Sequence, residues 1–329
     1  MTSPPFTITN TMVQQVATIS EQVGRLDASL PAAAQVLLRR GNRIRTIQGS
    51  LAIEGNTLSL EQVTAVMDGK RVLGSAREVQ EVRGAIAAYE ALGDWDPIKR
   101  DDLLAAHRVL MAGLVERPGA FRSGNSGIQR GSELVHVAPP AANVRGLIND
   151  LLTWLATTEE HPLIAACVFH YEFEFIHPFV DGNGRMGRLW QTLILSRWQP
   201  LFALVPVESL IRDQQVGYYG ALNTCDAVGN STAFIEFMLE IISNALSDLG
   251  GSPQVSPQVK RLLAALHGSM DRAALQAGLG LTDRKSFRQR YLQPALAAGL
   301  IAMTIPDKPN SRLQQYQLTA RGRRARGGS

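Results

Sequence analysis

The chain has 329 residues, room for two or three ordinary domains, and 45% of them are hydrophobic, which excludes wholesale disorder. A formal charge of +4 is too small to argue by itself for a nucleic-acid partner. The two cysteines, Cys167 and Cys225, lack zinc or redox spacing and read as buried thiols of a reducing compartment, and no window approaches the roughly 18 apolar residues of a membrane span.

Residues 1 to about 10 read as a loose arm. It has no basic stretch followed by an apolar one, so no signal peptide is expected and a cytoplasmic protein is the default. A helical pattern runs from Thr11 to Leu30, breaks at Pro31 and resumes from Ala32 to Ile47. Arg39, Arg40, Arg43 and Arg45 in the second helix read as a solvated face. Ser50 and Glu54 follow, four apart and so on one helical face, with Gly55-Asn56 as a natural stop. By composition this is an ordinary helix end with a solvent-facing glutamate.

Helices are then expected over Leu58 to Met67, with Thr57 or Ser59 as N-cap, over Ala76 to Leu92, and from Asp101 to about Leu114. Pro118-Gly119-Ala120-Phe121-Arg122 breaks the pattern, and Arg122 reads as a residue that ties a loop down. Val135-His136-Val137 belongs to a short β-branched segment bounded by turn residues. Ala142 to Thr157 is an amphipathic helix, and Pro162 to Ile176 is the helix that delivers His177. His170, Glu174 and His177 invite a metal-site reading. However, the histidines are seven apart with apolar filling and no His-Glu-x-x-His is present, so His170 reads as a packing residue.

The most chemically loaded stretch runs from His177 to Arg188: His-Pro-Phe-Val-Asp-Gly-Asn-Gly-Arg-Met-Gly-Arg. His177 is the side-chain type that takes a proton near neutral pH. Asp181 offers hard oxygens suited to Mg²⁺. Gly182, Asn183 and Gly184 let successive amides turn toward one anion. Arg185 and Arg188 supply forked cationic donors that match phosphate oxygens. The apolar run from Leu189 to Trp198 reads as a helix, which sets the loop at a helix N-terminus, where a phosphate is favoured. The spacing is neither that of a Walker loop nor that of a Rossmann fingerprint. The competing reading is a polar turn between helices with a satisfied histidine.

Tyr218-Tyr219 and Asp226 follow in a further helical segment, and a helix from Thr232 to Leu246 closes the region. Residues 250–257 are a linker by composition. Beyond it, short helices at Val259 to His267, Asp271 to Ala277 and Asp283 to Ala298 precede two short strands, Leu300 to Ile305 and Leu313 to Leu318, joined through a turn at 306–311. Three helices and a two-stranded wing outline a winged helix, with Arg284, Lys285, Arg288 and Arg290 on the helix that would read a groove. The solvated face of a protein-interaction domain is the alternative. The tail, Arg321 to Arg326, reads as disordered and basic.

The twelve residues from His177 resemble the Fic family signature, His-Pro-Phe-x-Asp-Gly-Asn-Gly-Arg-x-x-Arg. The resemblance implies an all-α core with a small β-hairpin flap, and transfer of AMP from ATP to a protein hydroxyl. It makes His177 the base, Asp181 the Mg²⁺ anchor, Gly182, Asn183 and Gly184 the anion hole, and Arg185 and Arg188 the β- and γ-phosphate ligands. Ser50-x-x-x-Glu54-Gly55-Asn56 resembles the family's inhibitory motif, in which Glu54 would pair with Arg188 and fill the γ-phosphate space. Val135, His136 and Val137 resemble the flap that aligns the target segment, with His136 having no catalytic role. Tyr219 and Asp226 become candidate nucleotide contacts, Tyr219 being as readily a half-buried core aromatic. The C-terminal part resembles the winged-helix domain attached to many Fic proteins.

The organisation expected is an N-terminal helical region (1–95), a catalytic core (96–249), a linker (250–257) and a winged-helix domain (258–329). The function expected is a protein adenylyltransferase restrained by Glu54, acting on a Ser, Thr or Tyr of a target or of itself, with homodimers implied by resemblance alone. Removal of AMP by the same site, a DNA-binding regulator with a nucleotide-sensing core, and transfer of UMP or phosphocholine stay open alternatives.

Overall fold

The computed structural model describes residues 3–29, 32–125, 127–130, 133–250, 257–281, 283–305, 311 and 313–327. Contacts divide the chain into two compact units, Met1–Ala28 with Leu38–Leu246 and Ser29–Leu37 with Ser247–Ser329. The chain begins with α1 (Asn10–Ser29), α2 (Ala32–Ile53), α3 (Leu60–Met67), α4 (Ala76–Glu90) and α5 (Arg100–Leu110). An antiparallel hairpin follows, β1 (Gly127–Arg130) with β2 (Glu133–Val137), its register slipping by a bulge at Ile128/Gln129. Then come α6 (Ala141–Thr157), α7 (Pro162–Ile176), α8 (Asn183–Trp198), α9 (Val207–Asp213), α10 (Gln215–Val228) and α11 (Thr232–Gly250).

Local chemistry sets the helix starts. Ser59 and Ser75 each close a capping box, with Gln62 and Glu78 reaching back to the cap amide. Pro162 occupies the first turn of α7, where a missing N–H costs nothing, and His161 Nδ1 accepts from Leu163 N. α7 is apolar on nearly every side and is buried from Leu163 to Tyr171 and again at Phe173 and Ile176, the mark of a central helix. α8 packs along it and is itself buried from Arg185 to Leu195. The two central helices therefore hold the His177–Arg188 stretch between them as a rigid corner.

The second unit contains α12 (Pro257–Ala265), β3 (Met270–Asp271), α13 (Arg272–Gly278), α14 (Arg284–Phe287), α15 (Gln293–Ala297), β4 (Ile301–Met303), β5 (Gln315–Leu318) and α16 (Ala320–Gly327). Its strands form an antiparallel sheet in the order β3-β5-β4. Leu262, Leu275, Phe287, Leu292, Leu300 and Tyr316 fill its core.

Several sequence expectations need correction. The N-terminal arm is not loose from residue 3 on. Pro5 O accepts from Ser231 N at 2.9 Å, Thr7 N donates to Thr232 Oγ1 at 2.9 Å, and Thr9 Oγ1 donates to Glu236 at 2.6 Å. The signature helix starts at Asn183, six residues before the apolar run that suggested it, because the polar residues of its first turns are buried too. The third helix of the second unit is interrupted by a π segment, Arg288–Leu292. Strand β3, two residues long, was too short to leave a pattern. The basic tail is helical: Gly322 N donates to Thr319 Oγ1 at 3.0 Å, and Arg323 and Arg326 donate to the carbonyls of Leu318 and Leu266. Pro31, the linker residues 251–256 and most of the 306–311 turn lie outside the described residues.

Candidate active site

α7 ends on His177, the one non-glycine residue with positive φ among the described residues (φ 49°, ψ 60°). Such a backbone is uncommon for a histidine and persists only when its surroundings fix it. Here its N–H donates to Phe173 O at 3.0 Å and its carbonyl accepts from Arg122 Nε at 2.7 Å. Arg122 is 4% exposed and also donates to the carbonyls of Gly124, Pro139 and Ile176, while its own N–H donates to Pro178 O. One guanidinium thus ties the end of α7 to the residues that flank the hairpin.

The next residues are fixed from below. Phe179 is fully buried and lies flat on the His107 ring, centroids 3.6 Å apart. Gly119 N donates to His107 Nδ1 at 2.8 Å, so Nε2 carries the proton and donates to the Asp181 carbonyl at 3.0 Å. Burial pushes His107 down to about 4, so this strut is neutral at pH 7. Gly182 takes the left-handed turn into α8 at φ 88°, where a Cβ would sit 2.6 Å from Met111 Sδ. The Asn183 side chain closes the loop on itself, accepting from Phe179 N at 2.9 Å and donating to Phe179 O at 3.0 Å. The amides from Asn183 onward are then first-turn donors without intrahelical acceptors, at the positive end of α8.

Both arginines of the stretch are buried and face acids. Arg185 Nη2 donates to Asp181 Oδ1 at 2.7 Å, and Nη1 lies 3.4 Å from Glu81 Oε1. Its buried Nε has no hydrogen-bond partner among the described residues. Arg188 Nη2 donates to Glu54 Oε1 at 2.7 Å and to the Ser50 carbonyl at 3.0 Å, and Nε to Ser50 Oγ at 3.2 Å. Burial works against the Arg188 charge, but Glu54 and its neighbours more than offset it and hold the proton more tightly than usual.

Glu54 Oε1 lies only 2.3 Å from where a Cβ on Gly184 would stand, so the carboxylate rests directly on the first turn of α8. That is an anion at a helix N-terminus, held by a guanidinium: the position suits a phosphate equally well. The turn carrying Glu54 is fastened to α4. Gly55 supplies φ 89°, Asn56 Nδ2 donates to Glu81 Oε2 at 2.8 Å and to the Glu78 carbonyl, and Thr57 donates to Glu78 Oε1 from both its amide and its hydroxyl.

Asp181 has both oxygens on guanidinium groups, Arg185 on one and Arg77 Nη2 on the other at 2.9 Å. Among the described residues no group of three or more His, Cys, Asp or Glu is placed to hold a metal. A single carboxylate satisfied by positive charge still fits Mg²⁺, which is commonly held by one or two carboxylates plus substrate phosphates. A hollow of about 120 Å³ opens beside Asp181, lined among others by His107, Phe121, Arg122 and Val180.

The remaining sequence candidates lie around this corner. Tyr219 is half-buried, and burial, then the Glu54 charge, raises its hydroxyl. Asp226 accepts from Tyr171 Oη at 2.9 Å, and burial together with Asp226 pushes Glu172 up to about 7. His170 is a fully buried packing residue bonded to Gln191 and Tyr218. In the hairpin, His136 pairs with Ile128 and Val137 with Gly127. The Val135 and His136 side chains lie outside what is described, while Val137 is exposed. His107, Arg77, Glu81, Tyr89 and Glu208 were missed from sequence, since each sits in a helix without a motif.

Comparison with known proteins agrees with this geometry. Residues 97–195 match the Fic/DOC family, and residues 257–319 match the C-terminal domain of Fic-like proteins (filamentation induced by cAMP protein Fic-like). The chain is 54% identical to a Fic family protein from Desulfovibrio desulfuricans G20, covering 97% of this chain and 99% of that one with a TM-score of 0.73. It is 29% identical over 261 residues to protein adenylyltransferase fic-1 of Caenorhabditis elegans, covering 76% of this chain and 47% of that protein. The chain thus spans about half the length of the first of its curated relatives. The structure of the Caenorhabditis elegans Fic-1 fragment, 24% identical with a TM-score of 0.63 over 74% of this chain, shares the fold. With near-complete coverage at that first identity, and with the signature set in a matching helical corner, the chain belongs to the Fic family.

Proposed function

We propose that this chain transfers AMP from ATP to a hydroxyl side chain of a target protein, or of itself, and that Glu54 holds it in a low-activity state. The observation that carries the reading is the Glu54 carboxylate lodged between Arg188 and the first turn of α8. The names of the curated relatives, protein adenylyltransferases, support the same chemistry.

In this reading the triphosphate lies over the start of α8, where amide donors and two buried guanidinium groups neutralise charge that builds up in the transition state. Asp181 would hold Mg²⁺, which screens the phosphate charge when bound. His177, its backbone clamped by Arg122, accepts the proton of a Ser, Thr or Tyr hydroxyl. The hydroxyl oxygen bonds to the α-phosphorus, the bond to the bridging oxygen breaks, and pyrophosphate leaves. The β1–β2 hairpin offers an edge on which a target segment can pair. Glu54 blocks this by filling the γ-phosphate space and competing for Arg188. A triphosphate displaced by about 1 Å loses roughly a hundredfold in rate.

The test is intact mass after incubation with ATP, Mg²⁺ and lysate proteins. An added AMP on this chain or on a lysate protein, lost in His177→Ala, supports the reading. AMP release from a modified target without net labelling would favour the reverse reaction instead.

We further read the second unit as a winged helix. Arg284, Arg288 and Arg290 are exposed on its third helical segment, which favours contact with a nucleic-acid backbone.

A further inference from the structure

Arg188 is 2% exposed, and besides its bond to Glu54 it donates to the Ser50 hydroxyl and the Ser50 carbonyl. Glu54 and a triphosphate are alternative occupants of one place, so something else must keep the guanidinium aimed when Glu54 withdraws. Glu174 lends charge support but lies across from His170, 3.9 Å from its Nε2.

Behind Ser50 the structure continues into a buried polar chain. The Tyr89 hydroxyl of α4, 6% exposed, has the Ser50 hydroxyl beside it and donates to Glu208 Oε1 at 2.8 Å. Thr192 of α8 donates to the same oxygen at 3.2 Å. Glu208, on α9, is 1% exposed, and its Oε2 has no hydrogen-bond partner among the described residues. Burial raises this carboxyl, while its own backbone amide, then Tyr89 and the Arg188 charge, pull it part of the way back down.

An acid at this depth with one oxygen unmet is destabilising, and an apolar residue of similar volume would serve packing better. The direction of the donors explains why an acid is there. Arg188 Nε donates into Ser50 Oγ and the Tyr89 hydroxyl donates to Glu208 Oε1, with the two hydroxyls side by side between them. The guanidinium donates at one end of this buried polar file and the carboxylate accepts at the other, so a charge of each sign closes it in a low-dielectric setting.

We infer that Glu208 is a positioning residue for Arg188: acting through the Tyr89 and Ser50 hydroxyls, it holds the guanidinium toward the triphosphate once Glu54 has left. This rests on the reading of Arg188 as a ligand of the terminal phosphates. Because the chain begins on Ser50, one turn from Glu54 on α2, the segment that delivers the inhibitor also carries the support for the activated arginine.

The test compares Glu54→Gly, Glu54→Gly/Tyr89→Phe and Glu54→Gly/Glu208→Gln in the full chain, by calorimetric binding of ATP and of AMP and by thermal unfolding. Losing one such bond should weaken ATP binding about fivefold to tenfold. AMP, which lacks the terminal phosphates, should bind the three proteins alike, and Glu208→Gln should not lower the melting temperature. Equal losses for ATP and AMP, or ATP affinity unchanged in the conservative Tyr89→Phe variant, would overturn the inference and make the chain a core staple. A Glu54→Gly protein that binds AMP but gains nothing from the terminal phosphates would overturn the reading of Arg188 itself.

Discussion

At His107 burial has a consequence that can be measured in bulk. Its folded value of about 4 lies below the ordinary 6.5, so the unfolded chain binds a proton first as pH falls. Stability from this residue is complete above about 6.5 and is lost as pH drops toward 4, by roughly 3 kcal/mol in all. His170, held near 3 by burial and then by Arg188, acts in the same direction. Denaturant unfolding between pH 7 and pH 4 should show this slope, and His107→Gln should flatten it. Arg122→Ala leaves four carbonyls without their donor and should cost about 3 kcal/mol or more, with labelling lost. Arg122→Lys should recover little of either, since an ammonium cannot reproduce the fork. Legibility differed sharply among these residues. His177, Asp181, Arg185 and Arg188 stand in one short stretch whose chemistry reads off the order of letters. Arg77 and Glu81 of α4, His107 of α5 and Glu208 of α9 acquire a role only where those three helices converge on the stretch.

The decisive element is the turn between α2 and α3. From sequence it was an ordinary helix end, and only resemblance gave Glu54 a role. Its fastening to α4 was not legible, because the Glu78 that completes the Ser75 capping box also accepts from Thr57. Those bonds, the Thr57 hydroxyl first, pull Glu78 down to about 2. Thr57→Val should therefore loosen the turn and raise basal labelling by ATP without reaching the level of Glu54→Gly. Ser75→Ala removes the cap and should cost about 1 kcal/mol in unfolding free energy. Helices α7 and α8 were legible through their apolar runs, except for the start of α8. There the buried residues are Asn183, Arg185 and Arg188, polar side chains that periodicity assigns to solvent.

Across the whole molecule, the chain divides into two compact units. In the second unit, three helical stretches followed by two strands could be read from short apolar runs and turn residues, while the two-residue β3 could not. The helical tail could not, since Arg321 to Arg326 looks disordered until Arg323 and Arg326 are seen to reach backbone carbonyls. If the second unit grips duplex DNA through phosphate contacts, binding should weaken steeply with salt, and Arg288→Ala should reduce the salt slope by about 1. Flat salt dependence would point to a protein partner.

Above all, one carboxylate stands where a phosphate would bind. The direct measurement is the rate at which ATP labels protein in the wild type, in Glu54→Gly and in Glu54→Gly/His177→Ala. Freeing Arg188 and the first turn of α8 should raise labelling by at least tenfold, a shift of about 1.4 kcal/mol, and the second substitution should abolish it. Equal labelling by the wild type and Glu54→Gly would contradict the account.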